Sequence, residues 1–306
     1  LSIYPLIYAV KVSLQADSGE GARWTLQHFA RLLSDDFFRA ALAHTLVYAV
    51  KVSLQADAGD GPRWTSQNFE RLLSDNFFLS ALAHTLVYAV IALTVEFLLG
   101  LGLAVLLNRE LRGRSFFRAA LLVPMMLPPV VVGVVWRLML NPNFGAINGT
   151  LQGAGINTEQ LTWTAHPTLA FASVIAVDIW QWTPFMFLIL LAGLQAIPDE
   201  PYEAALIDGS SPWQTFRHVT LPLLKPAILI ALLLRTMDLL RVFDQIFILT
   251  EGGPGSATET VSLYIYRTAF RFGDFGYAAA MSFVLLLLTN GVSLLYIRLL
   301  QRQEEA

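Results

Sequence analysis

The sequence contains no cysteine and unusually little charge. Only 14% of its 306 residues are charged, whereas a soluble domain usually carries roughly 25%. Without cysteine the chain can form neither disulfide bonds nor thiolate metal sites. Its net charge of -3 argues against a nucleic-acid-binding surface. The shortage of charge leaves long stretches without a side that faces water, which indicates a membrane protein.

Patterns typical of enzymes are also missing. The five histidines are scattered without a zinc-binding spacing, and no serine, histidine and aspartate stand in a recognisable catalytic order. The Gly-rich stretch 252–255 lacks the Lys-Ser/Thr pair of a phosphate loop. We therefore predict no catalytic site, no metal site and no cofactor in this chain.

Five apolar segments are long enough to cross a bilayer, whose core of about 30 Å requires ~20 helical residues. They lie at 79–107, 115–140, 168–196, 221–249 and 277–299. These segments must be helical because lipid offers no hydrogen-bond partners to the backbone. The sequence thus predicts an all-α, polytopic membrane fold, and Pro124, Pro128 and Pro129 predict a kink in the second span.

The N-terminal region contains a 40-residue near-repeat, in which residues 6–50 and 46–90 are close copies. Two copies are too few for a solenoid, so the repeat indicates a duplication or an assembly error in the sequence. Its apolar pieces, 2–14 and 40–56, are short and interrupted by lysine. We expect one of them to span the membrane, which gives six transmembrane helices.

The distribution of basic residues predicts the orientation and the organisation of the chain. Loops 108–114 and 197–220 and the C-terminal tail carry arginines, whereas the loop 141–167 has no Lys or Arg. Basic loops stay in the cytoplasm, so these three are predicted to be cytoplasmic. The predicted organisation is an N-terminal region with a partial first span, a transmembrane domain and a short tail, at 1–78, 79–300 and 301–306.

A polar stretch at 197–222 separates two of the most apolar runs and predicts a helix–turn–helix. Gly209 allows the first short helix to end in a left-handed turn. Ser210 or Ser211 can cap the second, with Pro212 in its first turn. Leu221 and Pro222 then open the next span. A rigid polar element of this kind suits display to a partner.

This stretch resembles the Glu-Ala-Ala motif of permeases in ABC importers. The pattern is Glu-Ala-Ala, three residues, Gly, nine residues, Ile, one residue, Leu-Pro, and only Val replaces the usual Ile. The matching residues are Glu203, Ala204, Ala205, Gly209, Val219, Leu221 and Pro222. Further stretches such as "QWTPFMFLILLAGLQAIPDEPYEAALIDG" are similar to carbohydrate-import permeases of the maltose and glycerol-3-phosphate type.

The resemblance implies a non-enzymatic permease subunit in the cytoplasmic membrane of a bacterium or archaeon. Its implied partners are a second, homologous permease, two ATPase subunits that bind ATP and Mg, and a periplasmic or lipid-anchored solute-binding protein. The Glu-Ala-Ala helix would couple to the ATPases. The implied cargo is a sugar or a polyol, and glycerol-3-phosphate stays open. The family's first span is longer than residues 1–14, so the chain is expected to begin inside it.

The family's sugar-contacting positions fall on two spans, at Gln181, Trp182, Phe185, Leu234, Asp238 and Arg241. Amide and charged groups suit sugar hydroxyls, and aromatic rings suit apolar sugar faces. A structural reading stays open, in which Asp238 pairs with Arg235 or Arg241 and Trp182 packs against the second permease. Asp178 and Asp244 lie nearer helix ends and are expected at the interface, whereas Glu96 is expected to form a hydrogen bond between helices.

Two other functions remain possible at this point. An ion-coupled secondary transporter would show inverted repeats and broken helices, but the N-terminal repeat is parallel and mostly polar. An intramembrane glycosyl-transfer enzyme would need paired catalytic carboxylates, but the acids here are dispersed.

Overall fold

The computed structural model describes residues 47, 55–56, 63–64, 67–108, 113–158 and 161–304. The predicted first span, the first copy of the near-repeat and part of the second lie outside these residues. A two-residue antiparallel ladder pairs β1 (Gln55–Ala56) with β2 (Arg63–Trp64). Every other regular element in the described part of the chain is helical, as the sequence predicts.

The helices follow one another with short connections. They are α1 (Gln67–Ser74), α2 (Asn76–Asn108), α3 (Arg114–Met126), α4 (Pro129–Met139), α5 (Ala146–Gly153), α6 (Pro167–Gln195), α7 (Glu200–Ile207), α8 (Pro212–Thr215), α9 (Leu221–Leu239), α10 (Asp244–Leu249), α11 (Val261–Tyr266) and α12 (Phe275–Glu304). Two π-helical turns, Phe216–Thr220 and Arg267–Arg271, follow α8 and α11.

Four helical stretches among the described residues are long and apolar enough to cross a membrane, and five if α3 and α4 count as one span. The four are α2, α6, the stretch Pro212–Leu239 and α12. Together these elements account for the five spans at 79–107, 115–140, 168–196, 221–249 and 277–299. The expected sixth helix stays a prediction because its residues lie outside the described ones.

The second predicted span is broken more sharply than a kink. The axes of α3 and α4 meet at 94°, and Leu127 and Pro128 between them are extended, with ψ of 136° and 138°. A residue that precedes proline is pushed out of the helical region. Both Leu127 and Pro128 precede a proline, so two consecutive residues leave the helix.

The fourth predicted span is displaced along the sequence. The prediction of one helix over 221–249 is wrong at its C-terminal end, because α9 ends at Leu239 and α10 begins at Asp244. Leu221 and Pro222 also do not open a new helix, because the helix runs without interruption from Pro212 to Leu239. The helix continues through the π-helical turn at Phe216–Thr220, although Pro222 has no N–H to donate to the preceding turn.

The described residues form two compact units. The smaller unit contains α1 and the segment Thr268–Phe283. Within it Arg71 forms an ion pair with Asp274 at 2.7 Å and stacks over the Tyr277 ring at 4.1 Å. The last turn of α1 is therefore held by an ion pair and by a ring contact.

The larger unit contains Asp75–Arg267 and the chain from Val284 onwards. Helices α2 and α6 form its main packed pair. One apolar cluster surrounds Tyr88 and Val174, and a second surrounds Phe187 and Leu190. Helix α6 is the most buried of the candidate spans. Four of its polar residues are buried inside the unit, namely Ser173, Asp178, Gln181 and Thr183.

A glycine on α2 sets the closest approach of α2 to α6. A Cβ atom built on Gly100 would lie 2.6 Å from Met186 Cβ and 3.0 Å from the Phe187 backbone nitrogen. Gly102, two residues later on the same helix, meets nothing within 4 Å. Of these two glycines on α2, Gly100 is the one whose packing leaves no room for a side chain.

We predict that Gly100→Ala destabilises the folded chain by about 1–3 kcal/mol, because the added methyl group overpacks the contact of α2 with α6. Gly102→Ala is the matched control. It should be neutral or slightly stabilising, since alanine favours a helix over glycine. Thermal unfolding in detergent measures both variants, and equal melting temperatures for the two would contradict this account of the packing.

Candidate functional site

A buried arginine joins three spans of the larger unit. Arg235 on α9 is 2% exposed, and its Nε and Nη2 donate to the two Glu96 oxygens on α2 at 2.7 and 2.9 Å. Nη2 also donates to Asp178 on α6, and Nη1 donates to Asp238 one turn further along α9. We call these four residues the Arg235 cluster.

Almost all hydrogen-bond donors of the Arg235 guanidinium are used within the cluster. A guanidinium has five N–H groups, and four of them are used here, one from Nε, one from Nη1 and two from Nη2. An unpaired charge inside a bilayer is very costly, so intramembrane charges pair with one another. The cluster therefore ties α2, α6 and α9 together at one level.

Several residues expected on the solute pathway lie beside this cluster. The Trp182 ring covers the guanidinium, with its centre 5.0 Å from Arg235 Cζ, and Phe185 meets Trp182 edge-on at 6.2 Å. Leu234 and Asp238 share the exposed face of α9, and the Asp238 side chain is 54% exposed. Arg235 thus contacts both the Asp238 carboxylate and the Trp182 ring, and Phe185 packs against that ring.

Gln181 has a different surrounding from its neighbour Trp182. It is fully buried, and its Nε2 donates to the Leu127 carbonyl at 3.0 Å, at the break between α3 and α4. Its Oε1 accepts a hydrogen bond from Gln245 on α10. In this conformation Gln181 holds two helix breaks in place and is not open to a solute.

Arg241 does not continue the face of Leu234 and Asp238. Helix α9 ends at Leu239, so the helical spacing that groups the three residues in the sequence no longer applies. Arg241 is exposed, and its Nε donates to the Met237 carbonyl at 3.0 Å. Of the two ion pairs that the sequence leaves open for Asp238, the structure forms the one with Arg235.

The expectation that Asp178 lies at the interface is wrong. Its side chain is 1% exposed because α6 extends 11 residues before it and α2 covers it. Glu96 is the interhelical hydrogen-bonding residue that the sequence predicts. Tyr88 was not anticipated by the sequence patterns. Its buried hydroxyl lies near Asp178 and has no hydrogen-bond partner of standard geometry among the described residues.

The polar stretch after α6 forms the predicted helix–turn–helix geometry. Helix α7 ends in a Schellman turn at Gly209, whose φ is +72°, with Ser210 N–H donating to the Ala205 carbonyl at 3.0 Å. The cap of α8 is Ser211, which forms a reciprocal capping box with Gln214.

The motif residues differ in their exposure. Glu203 and Ala204 are exposed, whereas Ala205 is 7% exposed and packs inward. Val219 and Leu221 are half-buried along the π-helical turn and its continuation, and Pro222 is exposed. The structure therefore presents Glu203 and Ala204 outward on α7 and uses Ala205 to hold that helix in place.

Three large apolar side chains stand exposed on this polar stretch. Leu206 is 78% exposed, Ile207 is 86% exposed, and Trp213 is 68% exposed. We call these three residues the coupling patch, after the role that the Glu-Ala-Ala resemblance implies for this stretch. Beneath the stretch lies a cleft of about 1100 Å³, lined by Glu203 and Trp213 and by apolar residues of α2 such as Leu98. The motif alone does not reveal this patch. Its signal in the sequence is the presence of large apolar residues in a stretch that is too polar to enter lipid.

Comparison with known proteins decides the family. Residues 96–304 match the family described as binding-protein-dependent transport system inner membrane component. The chain belongs to this family. It is therefore a membrane permease component and not an enzyme, and the ion-coupled and glycosyl-transfer alternatives are not favoured.

Two curated relatives indicate the range of the family. The permease is 43% identical to the trehalose/maltose transport system permease protein MalF of Thermococcus litoralis over 208 aligned residues. The alignment covers 68% of this chain and 70% of that protein. The permease is 37% identical over 206 residues to the sulfoquinovosyl glycerol transport system permease protein SmoG of Agrobacterium fabrum, covering 67% and 66%.

Among solved structures, the permease is similar to a chain of a bacterial ABC transporter that imports the acidic polysaccharide alginate. The TM-score is 0.73 at 22% identity, over 90% of this chain and 99% of that one. At this identity the likeness concerns the fold.

We predict that Arg235→Met destabilises the permease by about 3–5 kcal/mol, because it leaves Glu96 and Asp178 buried without their cation. Adding Glu96→Gln and Asp178→Asn to Arg235→Met should recover part of the loss. Arg241→Met, which removes an exposed cation, is the control. Thermal unfolding of the detergent-purified variants measures the effect, and equal losses for Arg235→Met and Arg241→Met would rule out the structural role given to the cluster.

Proposed function

We propose that the permease is the pore-forming subunit of an ATP-driven importer that moves a sugar or related polyol across the cytoplasmic membrane of a bacterium or archaeon. The coupling patch carries this proposal, because large apolar groups that are 68–86% exposed on a rigid polar element need a protein partner. The names of the relatives MalF and SmoG support a carbohydrate-type cargo.

The proposed partner at the coupling patch is an ATPase subunit. Two such subunits would bind ATP and Mg, so this chain needs no cofactor of its own. A second, homologous permease would complete the pathway, in a heterodimer. A periplasmic or lipid-anchored binding protein would deliver the solute from outside, and the solved alginate transporter in complex with a periplasmic binding protein supports this arrangement.

The continuous helix from Pro212 to Leu239 supports a mechanical route from the ATPases to the pathway. At 1.5 Å per residue its 28 residues span about 42 Å. Trp213 of the coupling patch stands in its first turn, and Arg235 and Asp238 stand in its last two turns. Closure of the ATPases on ATP would displace the patch, and the helix would carry that displacement to the Arg235 cluster as a rigid body.

We predict that Glu203→Ala and Ile207→Ser each lower ATP-dependent solute uptake at least tenfold and weaken retention of the ATPase, because both alter the surface that docks it. Glu200→Ala is the matched control, since Glu200 is also an exposed acid in the first turn of α7. Uptake into proteoliposomes and co-purification of the ATPase measure the two effects. Wild-type uptake by Glu203→Ala and Ile207→Ser would refute the coupling role.

A further inference from the structure

The Arg235 cluster conceals its cation and exposes one of its carboxylates. The guanidinium is 2% exposed, and Trp182 covers one of its faces. Glu96 and Asp178 are equally concealed, at 0% and 1% exposure. Asp238, at 54%, is the member of the cluster that a solute can reach.

Asp238 must face water or a polar partner. It stands near the end of an apolar span, and a carboxylate in contact with lipid would be very costly. Helix α9 ends one residue later, at Leu239, and residues 240–243 are irregular before α10 begins. Irregular backbone at membrane depth is tolerated only inside protein or along a water-filled cavity. Both observations indicate a cavity beside Asp238.

We propose that Asp238 makes the solute pathway selective for uncharged sugars and polyols and against anionic ones. The proposal rests on the proposed function and narrows its cargo. Arg235 donates to Asp238 from inside the cluster and is itself concealed, so the Asp238 carboxylate is the charged group that a solute meets first at this face. A carboxylate accepts hydrogen bonds from sugar hydroxyls, and its charge repels a phosphate, sulfonate or carboxylate group on the solute.

The buried position of Arg235 rules it out as an anion-binding group. Four of its five N–H groups are already used within the cluster, and no solute can reach the remainder at 2% exposure. Glycerol-3-phosphate, which the sequence leaves open, is therefore disfavoured as the cargo. Among the two relatives, trehalose and maltose are uncharged, whereas sulfoquinovosyl glycerol carries a sulfonate group, so the family itself does not decide the charge of the solute.

Arg241 is the competing cation near this face. It is exposed and lies three residues beyond Asp238, although the end of α9 separates it from the helical face of Leu234 and Asp238. A pathway that attracts anions would use Arg241, and one that excludes them would be controlled by Asp238. The experiment must separate these two residues.

The sign of the electrostatic potential at the exposed face of Leu234 and Asp238 can be measured without knowing the solute. The sequence has no cysteine, so Leu234→Cys introduces a unique thiol one turn from Asp238 on the same exposed face. The purified permease in lipid nanodiscs is treated with a cationic and an anionic methanethiosulfonate reagent of similar size. Intact mass of this chain gives the two rates, and each is normalised to the rate on 2-mercaptoethanol.

We expect the cationic reagent to react about three- to tenfold faster than the anionic one after normalisation, as a single nearby carboxylate in partly screened water requires. Asp238→Asn in the Leu234→Cys background should bring the ratio close to one, whereas Arg241→Gln should leave or raise it. A faster anionic reaction, a ratio unchanged by Asp238→Asn, or a thiol that reacts with neither reagent would overturn the proposal.

The labelling experiment can contradict the selectivity of Asp238 without contradicting the proposed function, and the reverse also holds. The labelling rates depend only on the surroundings of residue 234, whereas uptake by the Glu203 and Ile207 variants depends on the ATPase. If the Glu203 and Ile207 variants lose uptake as expected but the anionic reagent reacts faster at residue 234, only the proposed selectivity is contradicted. If those variants keep wild-type uptake while the cationic reagent reacts faster, only the docking of an ATPase is contradicted.

Discussion

The pairing of one buried guanidinium with carboxylates from three helices is the interaction on which the site depends. A bilayer gives Arg235, Glu96 and Asp178 no water, so each can remain on its apolar helix only while the others are in place. The same contacts fix α2, α6 and α9 at one level and hold Trp182 against the guanidinium. The geometry of the proposed pathway wall is therefore a consequence of charge pairing inside the membrane.

The second feature is the uninterrupted helix that joins the coupling patch to this cluster. A hinge between α8 and α9 would absorb a displacement of the patch. The π-helical turn at Phe216–Thr220 instead continues the helix into the membrane span. Under the proposed function, this continuous helix would join the surface that docks the ATPase to the solute pathway.

Local rules anticipate much of this structure from the sequence. Gly209, the serine cap of α8 and the five apolar segments follow from backbone preference and hydropathy, and the structure contains each of them. The end of α9 at Leu239 does not follow, because residues 240–249 are as apolar as the residues before them. Nor does the burial of Asp178, since the sequence does not show that α2 approaches α6 closely at Gly100. Positions within a helix are predictable, whereas contacts between helices are set by packing.

The structure of the assembled transporter in lipid, determined by electron cryo-microscopy, tests the central claim most directly. We expect the Arg235 guanidinium to be enclosed by Glu96, Asp178 and Asp238, with the Asp238 carboxylate open to a water-filled cavity and the coupling patch covered by an ATPase. An Arg235 side chain that points into the cavity with Asp238 turned away, or a coupling patch left bare, would contradict the account.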